Sequence, residues 1–366
     1  MLTFVSSSSN SHHKQIHDNL QLMYMKKFIL FFILCFLFFG CSKSKDETPF
    51  AYTDDVYIAG YEDGQYGSIA KIWKNGVATS LMSYPSNGRA SSTFVSGTDV
   101  YVAGYENNGT YVEAKIWKNG NGTSLNSGTN NAVANSVFVS GTDVYIAGNE
   151  NNGTYKVPKI WKNGVGTSLP AGPFDASGLS IFVSGTDVYV AGYETTTAKI
   201  WKNGVGTSLT TGVNDATAYS VCVLGSDVYV GGYESNGTNK VAKIWKNGIA
   251  TALSDGTQDA YISSVHVSGS DVYAAGTVNT LNNSGLLTIV GKIWKNSIQI
   301  FSTSVDNGAY ISSVKVLGSD VYATGYETMG TYPYFFYATL WKNGVPVVRM
   351  NDGTQHAAGL CLFLKD

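Results

Sequence analysis

The sequence has few of the residues from which most catalytic and metal sites are built. Beyond residue 40 it contains two histidines, His266 and His356, and two arginines, Arg89 and Arg349. Zinc or copper sites made of several histidines are therefore excluded, as is an arginine triad for a carboxylate sugar. No glycine-rich phosphate cradle or nucleophile elbow occurs. Because no basic run or patch is present, we expect no nucleic-acid partner.

Paired cysteines are also absent. Cys35 and Cys41 lie near the N-terminus, whereas Cys222 and Cys361 lie in well-separated repeats, so the spacing supports no disulfide framework. We expect Cys222 and Cys361 to be small buried residues. Only 14% of the residues are charged, while glycine is frequent at 41 residues. This composition is typical of a β-rich, turn-rich globular protein.

The chain has no apolar run long enough to cross a membrane as a helix. Its longest run, Phe28–Gly40, has 13 residues, whereas a membrane span needs about 20. Lys26 and Lys27 precede the run, as in a secretory signal peptide. We assign residues 25–40 as the signal, starting at Met25, and residues 1–24 as a leader that does not belong to the natural protein.

The end of this run resembles the processing site of bacterial lipoproteins. Gly40 precedes Cys41, and the following stretch, Lys43–Glu47, mixes both charges in the manner of Bacteroidota surface lipoproteins. The resemblance implies acyl chains on Cys41, a tether over residues 41–54, and attachment to the outer membrane facing the cell exterior. The alternative is a plain secreted protein in which Cys41 has no special role.

From residue 55 onward the chain repeats itself. Asp-Val-Tyr begins at Asp55, Asp99, Asp143, Asp187, Asp227, Asp271 and Asp320. Each copy carries one tryptophan: Trp73, Trp117, Trp161, Trp201, Trp245, Trp294 and Trp341. Repeats of about 40–50 residues with several strands each are typical of propeller blades. We expect the tryptophans to pack each blade against its neighbour.

The strand pattern also predicts how the ring closes. Each copy reads as four strands, with an Asn-Gly turn such as Asn163-Gly164 before the last. The first copy begins at its second strand, Asp55, and Gly359–Leu364 matches the missing first strand. We therefore predict an all-β protein, a single seven-bladed β-propeller over residues 55–366, with four antiparallel strands per blade and the C-terminal strand closing the ring. The blades resemble kelch blades loosely.

Length variation is confined to the loop between the second and third strands. The loop spans five residues from Glu194 to Lys199 in the fourth blade, but fourteen from Val278 to Lys292 in the sixth. In a propeller this loop lies on the same face as the crossovers between blades, which we call the variable-loop face. Variation on one face of a repeat protein often marks the binding face.

Two sets of residues are candidates for ligand binding on this face. The seventh loop contributes five aromatic residues: Tyr332, Tyr334, Phe335, Phe336 and Tyr337. They either fold back onto the blade or stack on a sugar or protein surface. The crossovers contribute Asp175, Asp215, Asp259 and His356. The three aspartates either cap tight turns or contact calcium or sugar hydroxyls.

The recurring glutamates near the variable-loop face have two interpretations. They either form cross-strand ion pairs with lysines, as Glu194 would with Lys199, or supply catalytic carboxylates. His266 replaces the phenylalanine that other inner strands carry, for example at Phe94, so we expect a core or channel histidine.

These patterns favour a monomeric, lipid-anchored binding module for a glycan or protein ligand, with no catalytic residue, cofactor or metal ion. One alternative is a carbohydrate-active or lactone-cleaving propeller enzyme that uses carboxylates. The other is a scaffold subunit of an envelope complex.

Overall fold

A computed structural model of the chain describes residues 51–52, 54–83, 86–127, 129–329 and 334–365. The predicted leader and signal, with Cys41 and most of the tether, lie outside the described residues. Every regular element within the described ranges is a β-strand. These ranges accordingly contain no helix that is long and apolar enough to span a membrane.

The strands form seven four-stranded antiparallel sheets, which are the blades. Blade 1 contains β1 (Asp55–Gly64), β2 (Gly67–Lys74), β3 (Val77–Ser80) and the last strand of the chain, β28 (Ala357–Lys365). Blade 2 contains β4 (Asn87–Ser96), β5 (Asp99–Asn107), β6 (Val112–Lys118) and β7 (Asn121–Ser124). Blade 3 contains β8 (Ala132–Ser140), β9 (Asp143–Asn151), β10 (Lys156–Lys162) and β11 (Val165–Ser168). Blade 4 contains β12 (Ala176–Ser184), β13 (Asp187–Glu194), β14 (Thr197–Lys202) and β15 (Val205–Ser208).

The remaining three blades have the same order. Blade 5 contains β16 (Ala216–Leu224), β17 (Asp227–Ser235), β18 (Lys240–Lys246) and β19 (Ile249–Ala252). Blade 6 contains β20 (Ala260–Ser268), β21 (Asp271–Leu281), β22 (Leu287–Lys295) and β23 (Ile298–Ser302). Blade 7 contains β24 (Ala309–Leu317), β25 (Asp320–Met329), β26 (Phe335–Lys342) and β27 (Val345–Arg349).

The C-terminal strand closes the ring as predicted. β28 pairs with β1 along its length, from Asp55 opposite Lys365 to Glu62 opposite Ala357. The order of blade 1 is therefore β28-β1-β2-β3, the same as in the other blades. Both the all-β class and the seven-bladed propeller with four strands per blade are confirmed.

The repeated sequence motif builds one corner of each blade, on the face opposite the variable loops. In blade 3 the side chain of Asn163 donates to Asp143 at 2.8 Å and accepts from the N–H of Val144 at 2.8 Å. Asn163 adopts φ 50°, the left-handed conformation that this turn requires. Lys162 pairs with Asp143 at 2.7 Å and lies over the ring of Tyr145. Since the motif residues bond one another, their recurrence in every blade is explained by the structure of this turn. We call this surface the uniform face.

Each tryptophan packs against the preceding blade, which confirms its predicted role. Trp201 of blade 4 is fully buried with Ala147 of blade 3 and Leu169 of the crossover. Its indole N–H donates to the carbonyl of Pro170 at 2.9 Å. Trp161 contacts Ala103 and belongs to the equivalent cluster between blades 2 and 3. These contacts hold neighbouring blades together.

A glycine is required where the inner strand bulges toward the second strand. The register of β4 against β5 shifts between Ala90 and Ser92, and this bulge brings the carbonyl of Arg89 close to Gly104. A Cβ atom on Gly104 would lie 2.0 Å from that oxygen. The bulge leaves Ser91 as an extra residue on the inner strand, and residues at this position border the central channel.

Candidate functional site

The crossover residues predicted to bind ligand also connect neighbouring blades. A carboxylate oxygen of Asp175 accepts from the N–H of Lys156 in blade 3, while its carbonyl accepts from Thr195 in blade 4, both at 2.8 Å. Asp259 bonds Lys240 in the same way, again at 2.8 Å. Neither side chain caps a tight turn within its own crossover; each instead bonds the first residue of the preceding blade's third strand and so joins that strand to the crossover.

His356 is the equivalent residue at the crossover that closes the ring. Its Nδ1 accepts from the N–H of Phe336 at 3.1 Å, and its carbonyl accepts from Asp63 in blade 1 at 2.7 Å. The centroid of the imidazole ring also lies 4.7 Å from the ring centroid of Phe336 and 5.4 Å from that of Phe335. The structure therefore brings His356 together with the seventh loop.

Most of the described aromatic residues of the seventh loop fold back onto the protein. Phe335, Phe336 and Tyr337 are partly buried, and Tyr337 lies against Gly353 of the last crossover. Tyr334 is 55% exposed. Tyr332 lies outside the described residues.

Asp215 has a different partner from the other crossover aspartates. The hydroxyl of Tyr233, near the end of β17, donates to Oδ2 of Asp215 at 2.6 Å. Lys240 lies 4.5 Å above the ring of Tyr233. Asp215 is exposed, so its carboxylate lies at the surface next to the buried Tyr233.

Tyr233 is the end of a row of aromatic rings that the sequence analysis did not identify. We call this row the aromatic crescent; its members are Tyr233, Tyr219, Tyr261, Tyr310, Tyr326, Phe336 and His356. The ring centroids of successive members lie 4.7–6.1 Å apart. Tyr310 and Tyr326 are stacked with an angle of 4° between their planes. The crescent thus crosses blades 5, 6 and 7 and ends at the crossover to blade 1.

The crescent lies at the variable-loop end of the central channel. Tyr261 and Tyr310 are each the second residue of an inner strand, directly after a crossover, and Tyr219 is the bulged residue of β16. Burial raises the pKa of Tyr326 to about 12 and also raises that of Tyr219. These phenols stay protonated at neutral pH and can donate hydrogen bonds. Aromatic rings can pack against the apolar faces of sugars, and neutral phenol hydroxyls can bond the sugar hydroxyl groups.

The recurring glutamates form ion pairs in the structure. Glu62, Glu106, Glu150, Glu194 and Glu234 pair with Lys71, Lys115, Lys159, Lys199 and Lys243, and Glu327 pairs with Arg349. Burial raises the pKa of Glu194, but the bonds from Lys199 and from the Gly172 N–H outweigh it, so this pKa lies below its usual value. The cross-strand ion-pair interpretation is therefore confirmed for the five glutamates that pair with lysine, whereas Glu327 pairs with an arginine two strands away.

A second carboxylate accompanies one of these pairs. Lys115 lies 3.5 Å from Glu106 and 3.0 Å from Glu113. Bonds from Ser124, Asn108 and Lys115 hold the pKa of Glu113 below its usual value. A general acid in glycoside hydrolysis needs the opposite shift, so Glu113 is unsuited to that role.

The middle of the channel carries a second set of aligned residues. At this position the inner strands of blades 1 to 7 place, in order, Phe363, Phe94, Phe138, Phe182, Cys222, His266 and Lys315. His266 is a channel residue, as expected, but the sequence analysis did not single out its neighbour Lys315. Cys222 and Cys361 are both free thiols. Nowhere in the described part of the chain do three His, Cys, Asp or Glu side chains converge to hold a metal ion.

The environment of His266 predicts a pH-dependent stability. Burial and the charge of Lys315 lower its pKa to about 3, and Cys222 lies on its other side. Since the unfolded histidine has a pKa of about 6.5, only the unfolded chain binds this proton as pH falls from 6.5 toward 3. At pH 4 this difference lowers the free energy of unfolding by up to about 3 kcal/mol. Phenylalanine occupies this position in blades 1 to 4, so we expect His266→Phe to fold and to remove the loss. Urea unfolding of both proteins at pH 7 and pH 4 measures this difference; equal losses in both would contradict the assignment.

The sequence matches no protein-family model and no curated protein. Among solved structures, the chain is similar to YjhT, with a TM-score of 0.38 and 8% identity, covering 69% of this chain and 97% of that one. It is also similar to a post-proline cleaving enzyme from Rickettsia typhi, with a TM-score of 0.45 and 9% identity, covering 83% of this chain. The chain spans about half of that enzyme, with 53% of its length covered.

Proposed function

We propose that this protein is a lipid-anchored binding module of the cell surface whose aromatic crescent binds a glycan. The observation that carries the proposal is the unbroken row of rings from Tyr233 to His356 at the mouth of the channel. In this proposal the ligand is bound without being cleaved.

Several features of the crescent favour a sugar over a protein surface. Tyr219, Tyr261 and Tyr310 are partly buried in the channel wall, whereas anchors for a protein partner fill pockets in that partner and must protrude. These three rings offer apolar carbon surface to the C–H groups of a sugar, and their hydroxyls can bond its oxygen atoms. Asp215 adds a carboxylate acceptor beside Tyr233.

A glycan array probed with the purified protein tests this function. We expect binding to a restricted group of glycans, followed by no release of reducing ends when the bound glycans are incubated with the protein. Hydrolysis of the bound glycans would show that the protein is a carbohydrate-active enzyme and not a binding module. Absence of binding to any glycan on the array would reject the proposed ligand class.

The proposed membrane attachment depends on Cys41. We expect Cys41→Ser to abolish labelling with a fatty-acid analogue and to move the protein from the membrane fraction to the soluble fraction, because a serine cannot carry the thioether-linked lipid. Stable anchoring requires two or more acyl chains, so the loss should be nearly complete. The replacement Cys35→Ser is the control and should leave labelling unchanged. Membrane fractionation that does not change in Cys41→Ser would reject the lipid anchor.

A further inference from the structure

Six serines form a ring around the propeller axis, between the crescent and the middle of the channel. They are Ser92, Ser136, Ser180, Ser220, Ser264 and Ser313, and Cys361 occupies the seventh position. Each serine oxygen accepts a hydrogen bond from a backbone N–H in the inner strand of the next blade, at 3.0–3.2 Å. For example, Ser220 of blade 5 accepts from Val265 of blade 6 at 3.0 Å. We call this set the serine ring.

These bonds leave the hydroxyl protons of the serine ring available. A serine hydroxyl has one proton to donate and two lone pairs that accept. In every serine of the ring the backbone N–H uses a lone pair, and within the described residues none of the six hydroxyls donates to a protein group. The ring therefore presents several O–H donors to whatever fills the channel.

The space that these donors face also contains an isolated positive charge. A cavity of about 180 Å³ is lined by the serine ring, by Cys361 and by Lys315. Among the described residues lining the cavity, Lys315 is the only charged side chain. A partly buried ammonium without a carboxylate partner is costly, and a nearby anion offsets that cost.

We propose that this cavity binds a small monovalent anion, of the size of chloride, between the serine ring and Lys315. The O–H donors and the ammonium supply the contacts that replace the hydration shell of the anion. The cavity is large enough for the ion together with several water molecules, since a water occupies about 30 Å³. The residues on either side of Lys315 at this level, His266 and Phe363, carry no negative charge that would compete. Although Tyr219 of the crescent borders the same cavity, none of the groups that would bind the anion belongs to the crescent. The anion site can therefore be tested independently of the proposed glycan binding.

Thermal unfolding of the full chain at constant ionic strength tests the site. Chloride replaces gluconate, a much larger anion, in steps, and formate and nitrate serve as further probes. We expect the wild-type Tm to rise with the logarithm of chloride concentration, because a ligand that binds only the folded state stabilises it. In Lys315→Phe and Lys315→Met the apparent affinity should fall by about tenfold or more. Phenylalanine fits this position in four other blades, so the first variant is expected to fold.

Two further measurements make the result specific. Lys156→Met removes an equal charge from an exposed position and should keep the full chloride response. Crystals soaked in bromide should show an anomalous peak in the cavity beside Lys315. A wild-type Tm that is equal in chloride and gluconate, an unchanged response in Lys315→Phe, or bromide only on the outer surface would overturn the proposal.

Discussion

Deleting residues 357–366 is expected to abolish cooperative folding of the propeller. β28 is the inner strand of blade 1, and Leu362, Ala357 and Ala358 of this strand are buried. Without it the backbone groups of β1 from Asp55 to Glu62 lose their partners, and an unpaired edge invites aggregation. Circular dichroism melting and size-exclusion chromatography should show a broad or absent transition and soluble aggregates.

Two controls separate ring closure from the general effect of altering the C-terminus. Leu360→Ser places in β28 the residue that occupies the equivalent bulge position at Ser91, Ser263 and Ser312, and it should melt almost as the wild type does. A synthetic peptide of residues 357–366 should restore a cooperative transition when it is added to the truncated protein. A truncated protein that melts cooperatively near the wild-type temperature would contradict closure by β28.

Replacing Trp201 with alanine should lower the free energy of unfolding by about 3–5 kcal/mol. The indole is buried between blades 3 and 4, where it contacts Ala147 and Leu169, and alanine would leave a cavity there. The substitution also removes the hydrogen bond to the Pro170 carbonyl. Chemical denaturation with urea measures the difference.

A matched control lies four residues further along the same blade. Val205 is 70% exposed, and Asn121 occupies the equivalent position in blade 2, so Val205→Asn should change stability by less than about 0.5 kcal/mol. If Trp201→Ala proved no more destabilising than Val205→Asn, the tryptophans would not be the contacts that hold the blades together.

The sequence predicted those features of the fold that depend on local patterns. The Asn-Gly turns, as at Asn163-Gly164, impose a conformation on two adjacent residues, and alternation identifies the strands that flank them. Ring closure was equally accessible, because an incomplete first copy and an additional C-terminal strand can both be read along the chain.

The aromatic crescent could not be predicted in the same way. Tyr219 is the bulged, fourth residue of β16, whereas Tyr261 is the second residue of β20, yet their ring centroids lie 5.9 Å apart. Phe336 meets His356 through the contact between blade 7 and the last crossover, which depends on the curvature of the ring. Lys315, in contrast, aligns with His266 in the repeat and could have been found by comparing the inner strands at every position.

Glycan binding by a variant that lacks three rings of the crescent shows whether the aromatic crescent is the binding site. The variant combines Tyr219→Ser, Tyr261→Thr and Tyr310→Thr. Other blades carry serine or threonine at the same positions, as at Ser263 and Thr217, so the fold should be retained. The control combines Val165→Asn, Val205→Asn and Ile249→Asn on the uniform face. Isothermal titration with a glycan selected on the array should show at least about a tenfold loss of affinity in the crescent variant, since each ring contributes about 0.5–1.5 kcal/mol. The control should bind as the wild type does. Wild-type affinity in the crescent variant, or a loss confined to the control, would contradict binding at the aromatic crescent.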